Sequence, residues 1–359
     1  MRCAIVGSGL AALATYATLR HGGVSSEEIA VFGTHDDPTA LWRVRAASIR
    51  QKRMRSESDG HLAATSFPGL AVRETARTGV LTPLVASVTN RYHPTVDDFL
   101  RHAEEVRART GWDESFRLER IERIAPVPGG FEVDGGTFAH VLLATGHPGL
   151  HKPPEWPDAV HAYEPHEYTR KVAIVGAGMA AATEWLNALA AGSQVVSIRR
   201  REPLRRPLNV PRPLFSKRGL VSYHASSDER RAATLRELSL ASYPPGPDWD
   251  RPLKEAEQEG RFRVLDEAPA EHDVILATGF ERGYRHDPLL ARLVEEEGLP
   301  TRGRWLVLDP DSTVAALSDA TRTLSVAGVA GQWAFPAGDT IAGAKYAARA
   351  FLRRVCRTH

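Results

Sequence analysis

Gly7-Ser8-Gly9-Leu10-Ala11-Ala12 follows the apolar run Cys3-Ala4-Ile5-Val6, and Gly176-Ala177-Gly178-Met179-Ala180-Ala181 follows the apolar run Val172-Ala173-Ile174-Val175. Both hexapeptides have the Gly-x-Gly-x-x-Ala form of a strand-to-helix turn that binds a dinucleotide. The first glycine makes the tight bend, the second lets the backbone approach a pyrophosphate, and the third small residue lets the helix pack on the strand. The two copies therefore predict two dinucleotides bound by one chain, and such a pair is usually a flavin and a nicotinamide that exchange a hydride.

Each glycine turn begins a strand–helix–strand unit. After the first turn the sequence predicts a helix over 11–20 and a strand over 29–32. After the second turn it predicts a helix over 181–191, which Gly192 ends, and a strand over 194–198.

Two later apolar runs end in the same tripeptide. The first closes in Ala144-Thr145-Gly146 and the second in Ala277-Thr278-Gly279. Both indicate buried strands after which the chain leaves one nucleotide domain for the other. We therefore expect these threonines and glycines to lie beside the cofactors.

A group of arginines follows the second strand of the second unit. They are Arg199, Arg200, Arg201, Arg205 and Arg206. A carboxylate at this place favours NAD, whereas guanidinium groups bind the 2′-phosphate of NADP. We interpret the group as favouring NADPH over NADH; the alternative is a solvated basic turn.

The first unit lacks the acidic residue that usually binds the adenosine ribose. Gly33 stands at the expected position, and Asp36 and Asp37 follow closely. These acids either reach the ribose or are ordinary turn residues before Pro38, and the sequence favours the latter. The pyrophosphate of FAD is expected on the backbone N–H groups at the start of the first helix, where the helix dipole favours negative charge.

Two further places suit a flavin. Asp339 and Thr340 are expected to cap a final helix over 341–354, and backbone N–H groups from Gly338 onward could stabilise negative charge on a reduced flavin. Trp42 either packs on the flavin edge or belongs to the core.

The predicted fold is α/β, with two Rossmann-like dinucleotide-binding domains. The NADPH-binding domain, 166–282, is inserted into a discontinuous FAD-binding domain, 1–165 and 283–359. The segment 203–261 shows no clear period, and it is interpreted either as a substrate lid or as a long connection.

Composition excludes several classes of protein. The chain has 359 residues, of which 42% are apolar and 25% charged, and its net charge of +2 gives no overall field for nucleic acid. Its two cysteines, Cys3 and Cys356, lie far apart, which excludes reductases with neighbouring redox sulfurs. The fourteen histidines form no metal-binding helical pair with a glutamate. No run of 18 apolar residues occurs, so we expect no membrane span and a cytoplasmic location.

Five other segments carry a recognisable pattern. They are Thr39-Ala40-Leu41-Trp42, Arg53-Met54-Arg55-Ser56, Thr65-Ser66-Phe67-Pro68, Tyr92-His93-Pro94-Thr95 and Val160-His161-Ala162-Tyr163. With the two glycine turns, they resemble the class B flavoprotein monooxygenases, a group that includes the flavin-containing monooxygenases and the ornithine and lysine N-hydroxylases. Ser56 stands where that family has a flavin-facing Asn, and Phe280 follows the second Ala-Thr-Gly where it has Tyr. With Gly33, these departures indicate a divergent member.

The resemblance implies an activity. NADPH would reduce FAD, oxygen would add to the flavin C4a atom to give a hydroperoxide, and one oxygen atom would pass to a small soft nucleophile, with N-hydroxylation favoured. The protein would hold the two rings together and exclude water. The resemblance implies catalytic roles for Ser56, His161 and Tyr163. The residues expected to contact a cofactor are Gly7, Ser8, Gly9, Leu10, Ala11, Ala12, Gly33, Trp42, Thr145, Gly146, Gly176, Gly178, Met179, Ala180, Ala181, Arg199, Arg200, Thr278, Gly279, Gly338, Asp339 and Thr340.

Two other functions stay open at this point. Ser56 and Phe280 favour an FAD- and NAD(P)H-dependent reductase or dehydrogenase that does not oxygenate. Gly33 suggests a nucleotide-binding protein without catalysis. The expected partners are a small-molecule substrate and O2, with no metal, nucleic acid or membrane.

Overall fold

The buried apolar runs of the chain form the strands of two parallel sheets. The computed structural model describes residues 2–55, 69–88, 92–206 and 210–357. The strands in these ranges are β1 (Cys3–Val6), β2 (Ile29–Gly33), β3 (Phe116–Leu118), β4 (Ile124–Val127), β5 (Gly130–Val133), β6 (Gly136–Phe138), β7 (His140–Leu143), β8 (Val160–His161), β9 (Lys171–Val175), β10 (Gln194–Ile198), β11 (Leu204–Arg205), β12 (Ser242–Tyr243), β13 (Phe262–Leu265), β14 (Asp273–Leu276), β15 (Thr301–Arg302), β16 (Trp305–Leu306) and β17 (Thr323–Val326). The helices are α1 (Leu10–His21), α2 (Ala40–Ser48), α3 (Gly69–Thr78), α4 (Thr82–Val88), α5 (Val96–Thr110), α6 (Trp112–Ser115), α7 (Met179–Ala190), α8 (Lys217–His224), α9 (Asp228–Leu238), α10 (Pro247–Gln258), α11 (Pro288–Glu296) and α12 (Ile341–Arg357).

Each parallel sheet is built around one glycine turn. The first sheet has the order β17-β7-β1-β2-β3 and the second the order β13-β10-β9-β14-β8. Central strands such as β1 and β7 are buried along their whole length, as parallel strands covered by helices on both faces must be. Helix α12 packs with α1 on one face of the first sheet. This architecture confirms the predicted α/β fold with two Rossmann-like domains.

The two glycine turns have the same geometry. Gly7 has φ +123° and Gly176 has φ +137°, a backbone conformation that side chains other than glycine rarely adopt. A Cβ atom on Gly7 would lie 2.1 Å from the carbonyl oxygen of Ala144, and one on Gly176 would lie 2.4 Å from that of Ala277. Each alanine directly follows the strand next to its turn. Both turns therefore require glycine for its conformation and for its lack of a side chain.

The two crossings between the sheets are hydrogen-bonded to each other. The N–H of His151 donates to the carbonyl of Gly279 at 3.0 Å, and the N–H of Glu281 donates to the carbonyl of Gly149 at 3.0 Å. Leu150 lies opposite Phe280 in this short antiparallel pairing. Residues 149–151 and 279–281, which we call the paired linkers, thus form one connection.

The segment 203–261 is largely helical in its described part. It forms α8, α9 and α10, and Ser216 and Ser227 cap the first two by accepting hydrogen bonds from backbone N–H groups. Only Ala232 and Leu235 are buried in α9, so its apolar stripe is too thin to give a clear period in the sequence. The described part of the segment is thus not a structureless connection.

Helices α8 and α9 pack on the first sheet's domain rather than on the second. Leu220 belongs to the same buried cluster as Phe335, and the hydroxyl of Tyr223 donates to the carbonyl of Trp333 at 3.2 Å. Conversely, β8 pairs with β14 in the second sheet although it precedes position 165. The domain boundaries at 165 and 282 remain a prediction. Elements on each side pack with the other domain, since β8 joins the second sheet and α8 packs on the first sheet's domain.

Within the described ranges, no helix combines the length and the apolar character needed to cross a bilayer.

We expect Gly7→Ala to lower the free energy of unfolding by about 2 kcal/mol or more, because the new methyl group meets Ala144 and φ is strained. Gly9→Ala is the matched control. Gly9 has an extended backbone, with φ −87°, and its Cβ would meet nothing within 4 Å. Gly9→Ala should lower the free energy of unfolding by less than about 1 kcal/mol. Chemical denaturation measures both, and equal losses in the two variants would contradict the role assigned to Gly7.

Candidate functional site

The helices that begin at the glycine turns lack side-chain caps. Gly9 and Gly178 are the N-cap residues of α1 and α7, and no side chain bonds to the first N–H groups of either helix. Side chains do cap five other helices in the described ranges, α5, α8, α9, α11 and α12, through Thr95, Ser216, Ser227, Asp287 and Thr340. A Cβ at Gly9 or Gly178 would meet nothing within 4 Å. Space is thus open beside both N-cap glycines, and no N-cap side chain occupies the start of either helix, which fits a phosphate group.

Each Ala-Thr-Gly lies beside one glycine turn. The contacts of Gly7 with Ala144 and of Gly176 with Ala277 place Thr145 and Thr278 next to the two turns. Gly146 and Gly279 follow with φ of +76° and +82°, so the chain bends sharply there. Among the described residues, the buried Oγ1 of Thr145 has no hydrogen-bond partner, whereas the Thr278 hydroxyl donates to the carbonyl of His151.

Four rings stack where the chain crosses between the domains. The ring centres of His147 and Phe280 lie 4.1 Å apart, those of Phe280 and Tyr163 lie 4.8 Å apart, and those of Tyr163 and His161 lie 5.6 Å apart. Burial lowers the pKa of His147 to about 3 and that of His161 to about 4. Both imidazoles in this ring stack are therefore neutral near neutral pH. The ring stack brings together His161 and Tyr163, which the sequence predicts as catalytic.

Arginines from three parts of the chain surround the ring stack. Arg45, Arg55 and Arg282 all lie close enough to Tyr163 to lower the pKa of its hydroxyl, although burial raises that pKa overall. The Cζ atom of Arg45 lies 4.8 Å from the centre of the Phe280 ring, and Arg55 donates to Thr183 on α7 at 2.5 Å.

Two acids face this arginine cluster without pairing closely with it: the charge of Glu184 raises the pKa of Arg55, which burial lowers overall, and the charge of Arg282 lowers the pKa of Asp339, which burial raises overall. In the part of the chain that the structure describes, none of its three members forms an ion pair within 4.0 Å. Sequence reasoning did not identify these arginines, because nothing in the local pattern shows that positions 45, 55 and 282 meet. The cleft therefore suits anionic ligands.

The end of β2, where Gly33 stands in place of the usual acid, lies beside Ser8. A Cβ on Gly33 would lie 2.2 Å from that of Ser8, and the Ser8 hydroxyl lies 3.3 Å from His35 Nδ1. Asp37 accepts hydrogen bonds from the N–H and the hydroxyl of Thr39, each at 2.7 Å. Asp37 is therefore a turn residue, as the sequence favoured. Ser8 and His35 supply the polar atoms near this end.

The arginines that follow β10 differ in their exposure and in how closely they pair with acids. Arg199 is 13% exposed and pairs with Glu202 at 2.7 Å. Arg200 is 88% exposed and lies 3.9 Å from Glu155. In addition, Arg205 pairs with Asp250 and Arg206 with Glu237. Arg200 is thus the better placed of the two predicted ligands to meet a phosphate from solution.

The start of α12 corrects one detail of the prediction. Thr340 caps the helix, since its hydroxyl accepts from the N–H of Gly343 at 3.2 Å, and Asp339 takes no part in that bond. The Asp339 side chain is exposed, yet enough protein surrounds it to raise the pKa of its carboxyl, so it lies on the wall of a cleft. Gly338 is buried against the carbonyl of Gly328.

Trp42 is half-buried, and its ring packs edge-on against Phe99 at 5.2 Å, which favours the core interpretation. Ser56 lies outside the described residues.

A buried polar cluster next to α7 was not anticipated from the sequence. Glu184 accepts from His166 Nε2 at 2.8 Å and from the Tyr168 hydroxyl at 2.9 Å, and the Glu184 side chain is fully buried. Burial by itself would lower the pKa of His166, but the bond to Glu184 raises it overall. The only signal in the sequence is a glutamate on an otherwise apolar helix face.

No protein-family model matches the chain, and comparison with curated proteins gave no match. Solved structures match over its whole length. Ornithine hydroxylase from Pseudomonas aeruginosa has a TM-score of 0.69 and 19% identity, covering 98% of this chain and 99% of that one. Ornithine N-hydroxylase from Kutzneria sp. 744 has a TM-score of 0.72 and 17% identity, covering 99% and 98%. Bacillithiol disulfide reductase from Bacillus cereus has a TM-score of 0.65 and 14% identity, covering 100% and 99%.

These likenesses concern the fold. The chain has, from end to end, the fold of class B flavin monooxygenases at low identity, which confirms the resemblance at the level of structure. A bacillithiol disulfide reductase shares the same fold, so the architecture by itself does not distinguish oxygenation from reduction.

We expect the His166→Gln substitution to lower the free energy of unfolding more at acidic than at alkaline pH. The folded-state pKa of His166 is raised, so its pairing with Glu184 stabilises the fold fully below the unfolded pKa of about 6.5 and less as pH rises through the folded value. The loss should be about 1–3 kcal/mol near pH 5.5 and smaller near pH 8.5. His286→Gln, which removes a half-exposed imidazole 3.3 Å from Glu281, is the control. A pH-independent loss in His166→Gln would contradict the charged pair.

Proposed function

We propose that the chain is an NADPH- and FAD-dependent monooxygenase that transfers one oxygen atom from O2 to a small soft nucleophile, most favourably in the N-hydroxylation of an amine. The observation that carries the proposal is the pair of uncapped helix N-termini with open space before them. Support comes from the similar Kutzneria ornithine N-hydroxylase structure, which contains reduced FAD, NADP+ and L-ornithine.

FAD would bind at the first glycine turn. The N–H groups of Leu10, Ala11 and Ala12 would hold its pyrophosphate, and Thr145 has a buried hydroxyl available for a hydrogen bond. The flavin end would approach the start of α12, where Asp339 lies on the cleft wall.

NADPH would bind at the second glycine turn. The N–H groups of Met179, Ala180 and Ala181 would hold its pyrophosphate, and Arg200 would meet the 2′-phosphate. Arg199 is largely committed to Glu202 and would add positive potential rather than a direct contact.

When bound, the two cofactors supply hydride transfer and oxygen activation, and the protein prepares the environment for both. Arg45, Arg55 and Arg282 would hold positive charge beside the ring stack, where it would stabilise negative charge on a reduced flavin bound there. His147 and His161 stay neutral, so they add no positive charge that would repel these arginines. Tyr163 keeps its proton because burial raises its pKa, and its hydroxyl can donate a hydrogen bond in the cleft.

A second candidate is a flavin-dependent reductase without oxygenation, which the match to the bacillithiol disulfide reductase favours. Such a reductase would have to work without a pair of neighbouring protein thiols, since Cys3 is buried and Cys356 is exposed at the far end of the sequence. Cys3 is buried within β1, and burial raises its pKa to about 12, while Cys356 lies on α12 near its end. A third candidate, nucleotide binding without catalysis, is favoured by the absence of an acid at Gly33.

The deciding experiment measures NADPH and O2 consumption together on protein loaded with FAD, across a panel of amines and sulfides. The proposal expects oxygenated product in proportion to NADPH consumed for at least one substrate. NADPH oxidation with a dye acceptor at an undiminished rate without oxygen, and no oxygenated product, would establish the reductase. Protein that binds NADPH but refuses FAD would establish the non-catalytic alternative.

We expect Arg200→Gln to lower kcat/KM for NADPH by about tenfold or more while leaving NADH turnover unchanged, because a guanidinium–phosphate bond is charge-assisted. Arg206→Gln is the matched control, since Arg206 is paired with Glu237 at 3.1 Å. Steady-state kinetics with both nucleotides measure the ratio. An unchanged ratio in Arg200→Gln, or an equal change in the control, would contradict the assignment.

A further inference from the structure

A segment of the first sheet's domain docks on the helix that begins at the second glycine turn. It consists of residues 49–55, which follow α2, and we call it the docking segment. The Asn187 amide of α7 donates to the carbonyl of Ile49 at 2.9 Å, and Ile49 is buried in the core of the second sheet's domain. At the other end of the segment, Arg55 donates to the Thr183 hydroxyl at 2.5 Å. The docking segment is therefore bonded to α7 at both of its ends.

The Thr183 hydroxyl is oriented by its own helix. It donates its proton to the carbonyl of Met179, one turn earlier on α7, at 2.8 Å. The oxygen lone pairs are thus left to accept, and Arg55 is the donor that meets them. Within the described ranges, this is the one hydrogen bond that the Arg55 guanidinium makes. The position of that guanidinium is therefore tied to the backbone of α7 through a single oxygen atom.

The anchored guanidinium borders the part of the cleft that would hold the flavin. Burial raises the pKa of the Tyr163 hydroxyl in the ring stack, and the charges of Arg55 and Arg282 act against that rise. Burial likewise raises the pKa of Asp339, and the charge of Arg282 acts against it there too. Arg282 is thus close both to the ring stack, which Arg55 faces, and to the start of α12, where the flavin end would lie.

One carboxylate lies near Arg55 without bonding to it. Glu184, the residue after Thr183, has a fully buried side chain whose Oε2 accepts from His166 Nε2 and from the Tyr168 hydroxyl. Burial lowers the pKa of Arg55, and the charge of Glu184 raises it in part. Because its two donors hold Glu184 in place, this acid offsets some of the positive charge but does not anchor the guanidinium. The anchoring depends on Thr183.

We propose that Thr183 is a positioning residue, through which α7 holds Arg55 beside the flavin and thereby raises the reduction potential of that flavin. A reduced flavin carries more negative charge than an oxidised one, so a cation fixed nearby favours the reduced form. The inference rests on the proposed function only in that FAD occupies the first site; it requires neither O2 nor an oxidised substrate.

The test is the midpoint potential of FAD-loaded protein, measured by anaerobic equilibration with a reference dye. Thr183→Val removes the acceptor and keeps the shape of the side chain. We expect it to shift the ratio of reduced to oxidised flavin about tenfold toward the oxidised form, which lowers the potential of this two-electron couple by about 30 mV. Thr183→Ser, which keeps the hydroxyl, should have the wild-type potential.

Thr234→Val is the matched control. Thr234 lies on α9, and its hydroxyl donates to the carbonyl of Arg230 one turn earlier at 3.0 Å, but no arginine of the described chain donates to it. Its substitution should leave the potential unchanged. In an Arg55→Gln background, adding Thr183→Val should cause no further shift, because there is no guanidinium left to position.

Three results would overturn the positioning role: an unchanged or higher potential in Thr183→Val, an equal shift in Thr234→Val, or a further shift when Thr183→Val is added to Arg55→Gln. Thermal unfolding shows whether each variant is folded, and Thr183→Ala takes the place of Thr183→Val if the latter unfolds. A lowered potential in Thr183→Val, in protein that forms no oxygenated product, would support the positioning role and contradict the proposed function. An unchanged potential in protein that does form the product would do the reverse, and protein that refuses FAD would overturn both.

Discussion

The contact between a glycine and the carbonyl end of a neighbouring strand is the constraint on which this molecule depends. At Gly7 and at Gly176, the turn after the first strand of the unit lies so close to the adjacent strand that no side chain fits. That closeness starts α1 and α7 directly over the sheet edge, with their N–H groups directed outward. It also places each Ala-Thr-Gly beside a turn, so one packing requirement, met twice, positions both halves of the site.

Positive charge is concentrated around the cleft beside the two glycine turns. The arginine cluster places several cations around one cleft, whereas the histidines of the ring stack stay neutral through burial. Asp287 is committed to a helix end, whereas Asp339 lies near Arg282 and Glu184 lies near Arg55. These acids offset part of the positive charge, and the rest is left for an anionic ligand.

The sequence predicts the local parts of the fold well. The glycine turns, the strands beside them and the helices after them follow from patterns within about ten residues, and the structure contains all of them. The ring stack and the arginine cluster join positions as distant as 45, 163 and 282, and no local pattern shows such a meeting. Helices α8 and α9 escaped notice because few of their residues are apolar. The prediction that Asp339 and Thr340 both cap α12 was wrong for Asp339. Both residue types suit an N-cap position, and only the geometry shows which of them occupies it.

The two domains are attached to each other at several places in the described residues. Residues 149–151 pair with 279–281, and α8 and α9 pack against Phe335 and Trp333. A third attachment lies after α2, where the Asn187 amide donates to the carbonyl of Ile49 at 2.9 Å and Arg55 donates to Thr183. Because these attachments join different elements on each side, separating the two sheets requires several of them to break together, and no single linker acts as a free hinge.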